Sequence, residues 1–172
     1  MATIQAGDTV KVKFLNHGAK KASVFVAGSQ CGRACCAAEV ADPFTFRIVG
    51  NTSSNGCGVS GRHYINLKNN RINKELYGAT HGTLAYCTFS RRNDQKQFFQ
   101  VLDPQQGLAE VAPDEVKYDT EYILTCIREN TWCHTDPRCK AYCRNGVAYY
   151  DTRNWYGRDF KCVKPCVVFC RV

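Results

Sequence analysis

Three stretches, GDTVKV, GRHYIN and DTEYIL, each open a strand-like run directly after a polar turn, at Val10, Tyr64 and Tyr122, 54 and 58 residues apart. A second trio, FTFRIV, QFFQVL and RDFKCV, sets Phe46, Phe99 and Phe160 ahead of a polar residue and two further core-type residues, at intervals of 53 and 61. From opener to phenylalanine the distance is 36, 35 and 38 residues. Near-equal intervals of this length mark a supersecondary unit copied along the chain. The units run over about residues 7–60, 61–118 and 119–172 and together form a single domain. One unit alone cannot bury its phenylalanine; three wrapped around a shared axis can.

The unit is made of strands. VKVKF alternates with period two, placing Val10, Val12 and Phe14 on one face. FTFRIV, LAYCTF, QFFQVL, EYILTC, VAYYD, DFKCV and CVVFC are strand-like too, separated by Gly, Asn, Asp and Pro, and helix periodicity is nearly absent. Many short strands with frequent turns form either a sandwich or a barrel. The threefold spacing favours a barrel in which each unit gives two strands to the wall and one hairpin to a cap. In this respect the whole chain resembles the β-trefoil superfamily, which includes lectins, growth-factor-like ligands and Kunitz-type inhibitors. The expected fold is therefore all-β, a disulfide-rich β-trefoil, with an irregular disulfide-linked sandwich as the competing architecture.

Cysteine is the second constraint, with 12 in 172 residues. A chain of this length can bury a core without staples, so that density points to an oxidising compartment. Cys31, Cys35, Cys36, Cys57, Cys87, Cys126, Cys133, Cys139, Cys143, Cys162, Cys166 and Cys170 are all expected in disulfides, with the connectivity open. Along an extended strand, residues four apart stand about 13 Å from one another, so Cys162, Cys166 and Cys170 need partners elsewhere. In the repeat, Cys162 takes the slot of Ile48 and Val101. Seven of the cysteines follow residue 125, and bridges there would hold enlarged loops. CHTDPRCKAYC has enough ligands for tetrahedral zinc but not the usual paired C-x2-C spacing; no metal and no cofactor is expected.

The N-terminus, MATIQAGDTV, has neither a basic region nor an apolar one. The thiols would be an oxidation liability in a reducing cytosol, so the expectation is a secreted, extracellular protein whose signal peptide is missing from this chain. Asn51-Thr52-Ser53 is a glycosylation sequon consistent with secretion. No apolar run reaches the ~18 residues of a membrane-spanning helix. The formal net charge of +8 suits a polyanion such as a sulfated glycan, with nucleic acid a less favoured partner.

For a binding surface, AYYDTRNWYGRDF is the richest segment. Aromatic rings stack on the apolar face of a sugar while Asp and Asn accept or donate hydrogen bonds to its hydroxyls. Tyr149, Tyr150, Asp151, Asn154, Trp155 and Tyr156 supply that chemistry, and Tyr86, Asn93 and Asp94 supply it in the preceding unit. The same aromatics could instead cover the barrel cap. Gln97 and Phe99 form a Q-x-F that resembles the Q-x-W repeat of ricin-type lectins, with Phe in place of Trp and no copy in the other units. The expected function is binding of a glycan or glycoprotein. The alternatives are a protein-binding trefoil, that is a growth-factor-like ligand, a toxin subunit or a protease inhibitor with HTDPRCK as its inhibitory loop, and an enzyme with a pocket in the barrel mouth. No nucleophile elbow, zincin, phosphate-loop or dinucleotide motif occurs, so no catalytic residue is assigned.

Overall fold

The computed structural model describes residues 2–15, 23–30, 33–37, 42–50, 56–69, 71–81, 84–90, 97–104, 111–128, 138–144, 147–152 and 167–172. Among the described residues there is no helix, and the strands are all antiparallel to their neighbours. They are β1 (Thr9–Leu15), β2 (Ser23–Gln30), β3 (Arg33–Ala37) and β4 (Thr45–Gly50); β5 (Ile65–Asn69), β6 (Lys74–His81), β7 (Leu84–Ser90) and β8 (Gln97–Leu102); β9 (Glu121–Arg128), β10 (Arg138–Arg144), β11 (Val147–Thr152) and β12 (Val167–Arg171).

Six of these close a barrel. β1 pairs with β4, β4 with β5, β5 with β8, β8 with β9, β9 with β12, and β12 returns to β1. Closure removes the unpaired edges that an open sheet would expose. The other six strands form the hairpins β2–β3, β6–β7 and β10–β11 at one end.

The ladders define which residues correspond. Val10 opposes Phe46, Ile65 opposes Phe99, and Tyr122 opposes Val167. One step along, Val12 opposes Phe169, Leu67 opposes Ile48, and Leu124 opposes Val101. All twelve side chains are buried and form the barrel interior. Two sequence expectations are corrected by these pairings. The opener of the second unit is Ile65, not Tyr64, which is 36% exposed; a one-residue slip along a strand reverses the face. The third counterpart of Phe46 and Phe99 is Val167, not Phe160, and the slot given to Cys162 belongs to Phe169. Phe160 and Cys162 themselves lie outside the described residues.

The end of the barrel opposite the hairpins is sealed by three segments that precede β1, β5 and β9. Ile4 N–H donates to the Val116 carbonyl, Val116 N–H to Val59, and Val59 N–H to Ile4, each at 2.8 Å. This ring of three bonds satisfies backbone groups that burial would otherwise leave unpaired, and its three β-branched side chains are buried. The next residue in each segment has its N–H capped by a different side chain: Gln5 by Asp8 Oδ2 at 2.9 Å, Ser60 by His63 Nδ1 at 3.1 Å, and Lys117 by the Tyr122 phenol at 2.9 Å. One backbone requirement is thus met by carboxylate, imidazole and phenol, which is why the repeat is weak in sequence.

Candidate functional site

The three hairpins meet one another in a cycle. Arg33 on β3 opposes Thr88 on β7, Tyr86 on β7 opposes Tyr149 on β11, and Val147 on β11 opposes Cys35 on β3. In each hairpin two residues separate the strands: Cys31-Gly32, Gly82-Thr83 and Asn145-Gly146. Two-residue links fix register tightly, and Asn-Gly is the strongest such signal.

That register brings two sequence-predicted residues together. Tyr149 opposes Tyr86 on one side and Tyr142 on the other, so Tyr142, Tyr149 and Tyr86 occupy one row across β10, β11 and β7. With strands about 4.8 Å apart, the row spans about 10 Å, the width of one to two pyranose rings. Tyr150 opposes Ala141 and Asp151 opposes Lys140 on the neighbouring rows. Asn154, Trp155, Tyr156, Asn93 and Asp94 lie outside the described residues. Sequence reasoning missed Tyr142; counting back from Asn145-Gly146 pairs Arg144 with Val147 and hence Tyr142 with Tyr149.

The barrel wall carries a different chemistry. Lys11 and Lys13 occupy outward positions on β1, and Arg47 on β4 stands directly opposite Lys68 on β5 and Thr9 on β1. Among the described residues, ion pairs join Arg62 to Asp114 at 3.3 Å and Arg71 to Asp42 at 2.7 Å, and none joins these four cations to a carboxylate. Glu75, opposite Lys68 in register, instead accepts a hydrogen bond from Asn66 Nδ2 at 3.3 Å. Lys13 lies 5.5 Å from the Phe25 ring centre.

Among the described residues, Cys57 and Cys170 are not joined to another cysteine. Cys57 is exposed in the turn between Gly56 and Gly58, while Cys170 opposes Lys11 rather than another cysteine. Burial raises the Cys170 thiol's pKa, helped by the nearby Asp119 carboxylate and opposed by Lys13 and Lys11. A thiol held protonated is a poor nucleophile. No group of three or more metal-ligating side chains occurs among the described residues.

Beside the sealed end, Tyr118 donates to Asp8 Oδ2 at 2.6 Å, and the Arg171 guanidinium lies 4.5 Å from its ring centre. Burial first, then the hydrogen bond to Asp8, push the phenol pKa up to about 12. These contacts tie the segment before β1 to the segment before β9 and to β12, so their role is structural. Near the hairpin end, Asn69 is buried; its Oδ1 accepts from the N–H groups of Arg71 and Ile72, and its Nδ2 has no partner among the described residues. The accepted bonds shape the turn into β6, where Asn73 adopts φ 52°.

The molecule is thus an all-β protein on a closed six-stranded antiparallel barrel with a three-hairpin cap. No protein-family model matches the chain, and no curated protein matches it.

Proposed function

We propose that the chain is a β-trefoil and a secreted glycan-binding module whose ligand lies across the cap. The threefold ladder, the cycle of hairpins and the ring at the opposite end support the trefoil reading. The observation that carries the function is the row Tyr142, Tyr149 and Tyr86, which assembles three aromatic residues from two units at a single register position. Asp151 and Lys140, two positions away along the same strands, add polar groups for hydroxyls. A ligand of this kind is held by stacking plus a few directed hydrogen bonds. A glycan array, followed by titration of the best ligand against Tyr149→Ala and Tyr86→Ala, tests the reading. Each substitution is expected to weaken binding at least about tenfold, as loss of about 1.4 kcal/mol of stacking implies. Absence of any bound glycan at high protein concentration would count decisively against it.

The strip of Lys11, Lys13, Arg47 and Lys68 favours a sulfated polyanion as a second partner. These cations form no ion pair with a carboxylate among the described residues and stand on three adjacent strands. Binding there depends on charge, so it weakens steeply with salt. Retention of a sulfated glycan that is unaffected by Arg47→Ser together with Lys68→Ser would remove this reading.

A further inference from the structure

We propose that Cys126 and Cys139 form a disulfide that fastens the third hairpin to the barrel. In the pairing of β9 with β10, Arg138 opposes Ile127, Cys139 opposes Cys126, and Lys140 opposes Thr125. Residues directly opposite in an antiparallel pair have Cα atoms about 4.5 or 5.5 Å apart, according to the hydrogen-bonding pattern. Both separations fall within the ~4.4–6.8 Å that a disulfide spans.

The register is selective. Cys35 opposes Gly28 and Val147, Cys36 opposes Val26, Cys87 opposes Gly78, Cys143 opposes Ala148, and Cys170 opposes Lys11. Among the described pairings, Cys126 and Cys139 alone set one cysteine against another. Cys170, opposite Lys11, is not joined to another cysteine, in line with the same criterion.

The position explains what the bridge does. It falls where a barrel strand passes into its cap hairpin, at the place occupied by Phe14 opposite Val24 in the first unit and Asn69 opposite Lys74 in the second. Between those strands the sequence runs through residues 16–22 and 70–73, against 129–137 in the third unit. The longest connection leaves the hairpin least constrained by the chain itself, and there the two opposing residues are cysteines. The bridge would also fix the strand that carries Tyr142, although it stands whether or not the cap binds a glycan.

Formation needs a disulfide oxidant such as oxidised glutathione. One cysteine thiolate attacks the oxidant's S–S bond, giving a mixed disulfide and one glutathione thiolate. The second cysteine thiolate then attacks the protein-bound sulfur and releases the other glutathione. One protein S–S bond forms and one glutathione S–S bond breaks. Two electrons reduce glutathione disulfide to two thiols, which take up the two protons lost by the cysteines.

The test is to equilibrate the full chain in a glutathione redox buffer, alkylate remaining thiols, digest without reductant and map the peptides by mass. A cross-linked peptide joining Cys126 to Cys139, with Cys57 and Cys170 alkylated, is the expected result. Alkylation of Cys126 and Cys139 in the oxidised, folded protein would overturn the proposal, as would either one bridged to a different cysteine or both retained as thiolates with bound zinc. Cys126→Ser provides a second readout: Cys139 should become alkylatable while the far-ultraviolet β signal persists. Protection of Cys139 in that variant would count against the pair.

Discussion

Three glycines in the segment before β5, each substituted by alanine, separate backbone conformation from space. A Cβ on Gly61 would lie 2.3 Å from Pro113 Cδ, 2.5 Å from the Val101 carbonyl oxygen and 2.8 Å from Pro113 N. Two of those atoms are backbone, and both backbone groups of Gly61 are engaged: its N–H donates to Pro113 at 2.7 Å, and its carbonyl accepts from Gln100 Nε2 at 2.9 Å. The segment cannot retreat without breaking these bonds, so Gly61→Ala is expected to cost about 3 kcal/mol, the upper end of ordinary overpacking. Gly56 has open space but a φ of +83°, so Gly56→Ala should cost about 1 kcal/mol for the left-handed backbone. Gly58 has neither problem; a Cβ there meets Thr3 Cγ2 alone, at 3.4 Å. Gly58→Ala should be neutral or stabilise by up to about 1 kcal/mol, because alanine restricts the unfolded chain. At roughly 2–4 °C per kcal/mol for a chain of this size, calorimetry should place Gly61→Ala about 6–12 °C below the wild type, with Gly56→Ala between. A Gly61→Ala protein that melts with the wild type, or below which Gly58→Ala falls, would refute the packing of this segment against Pro113.

Tyr118→Phe removes the phenol's hydrogen bond to the Asp8 carboxylate and should destabilise by about 1.5–3 kcal/mol, read by urea unfolding. The raised phenol pKa also gives a pH signature: folding holds the proton more tightly than the unfolded chain does, so this contribution is intact below pH ~10 and is lost as pH rises toward about 12. Tyr118→Phe should flatten that alkaline decline. His63→Ala leaves the Ser60 N–H without its acceptor and should cost about 1 kcal/mol, whereas His63→Asn, which offers a carbonyl oxygen, should cost less; thermal melts distinguish the two.

The barrel was largely legible in the sequence because its interior follows period two. Val10, Val12, Phe14, Phe46, Phe99, Val101 and Tyr122 were identifiable from alternation and spacing, and all are buried. The errors have two physical sources. In YINLKN, Tyr64 and Ile65 are adjacent apolar residues, and propensity alone does not say which one begins the inward face; the ladder with Phe99 chooses Ile65. In the third unit, residues 153–166 separate β11 from β12, against 38–44 and 91–96 at the matching places. Each doubling of a connection costs only about 0.6 kcal/mol in closure entropy, so its length drifts, and equal spacing led to Phe160 where Val167 takes the place. The ring of Ile4, Val59 and Val116 was hidden for another reason. It is made by backbone groups, and the side chains capping its neighbours share no chemistry.

The sealed end and the cap lie at opposite ends of β1, whose seven residues extend about 23 Å, and this separation can be tested. Val59→Ala deletes two methyl groups from a side chain 1% exposed, which should cost about 2 kcal/mol and about 4–8 °C in melting temperature. Its effect on glycan affinity should be nil, because no strand that carries the tyrosine row pairs with residue 59. Tyr86→Ala should do the reverse, weakening the glycan while leaving the ring intact. Sites this far apart with no shared partner add within about 0.5 kcal/mol. In the double variant, affinity should therefore match Tyr86→Ala, and stability should be the sum of the two single changes. A larger coupling would mean that the barrel transmits changes from the ring to the cap, and the cap could then no longer be treated as a surface carried by an independent core.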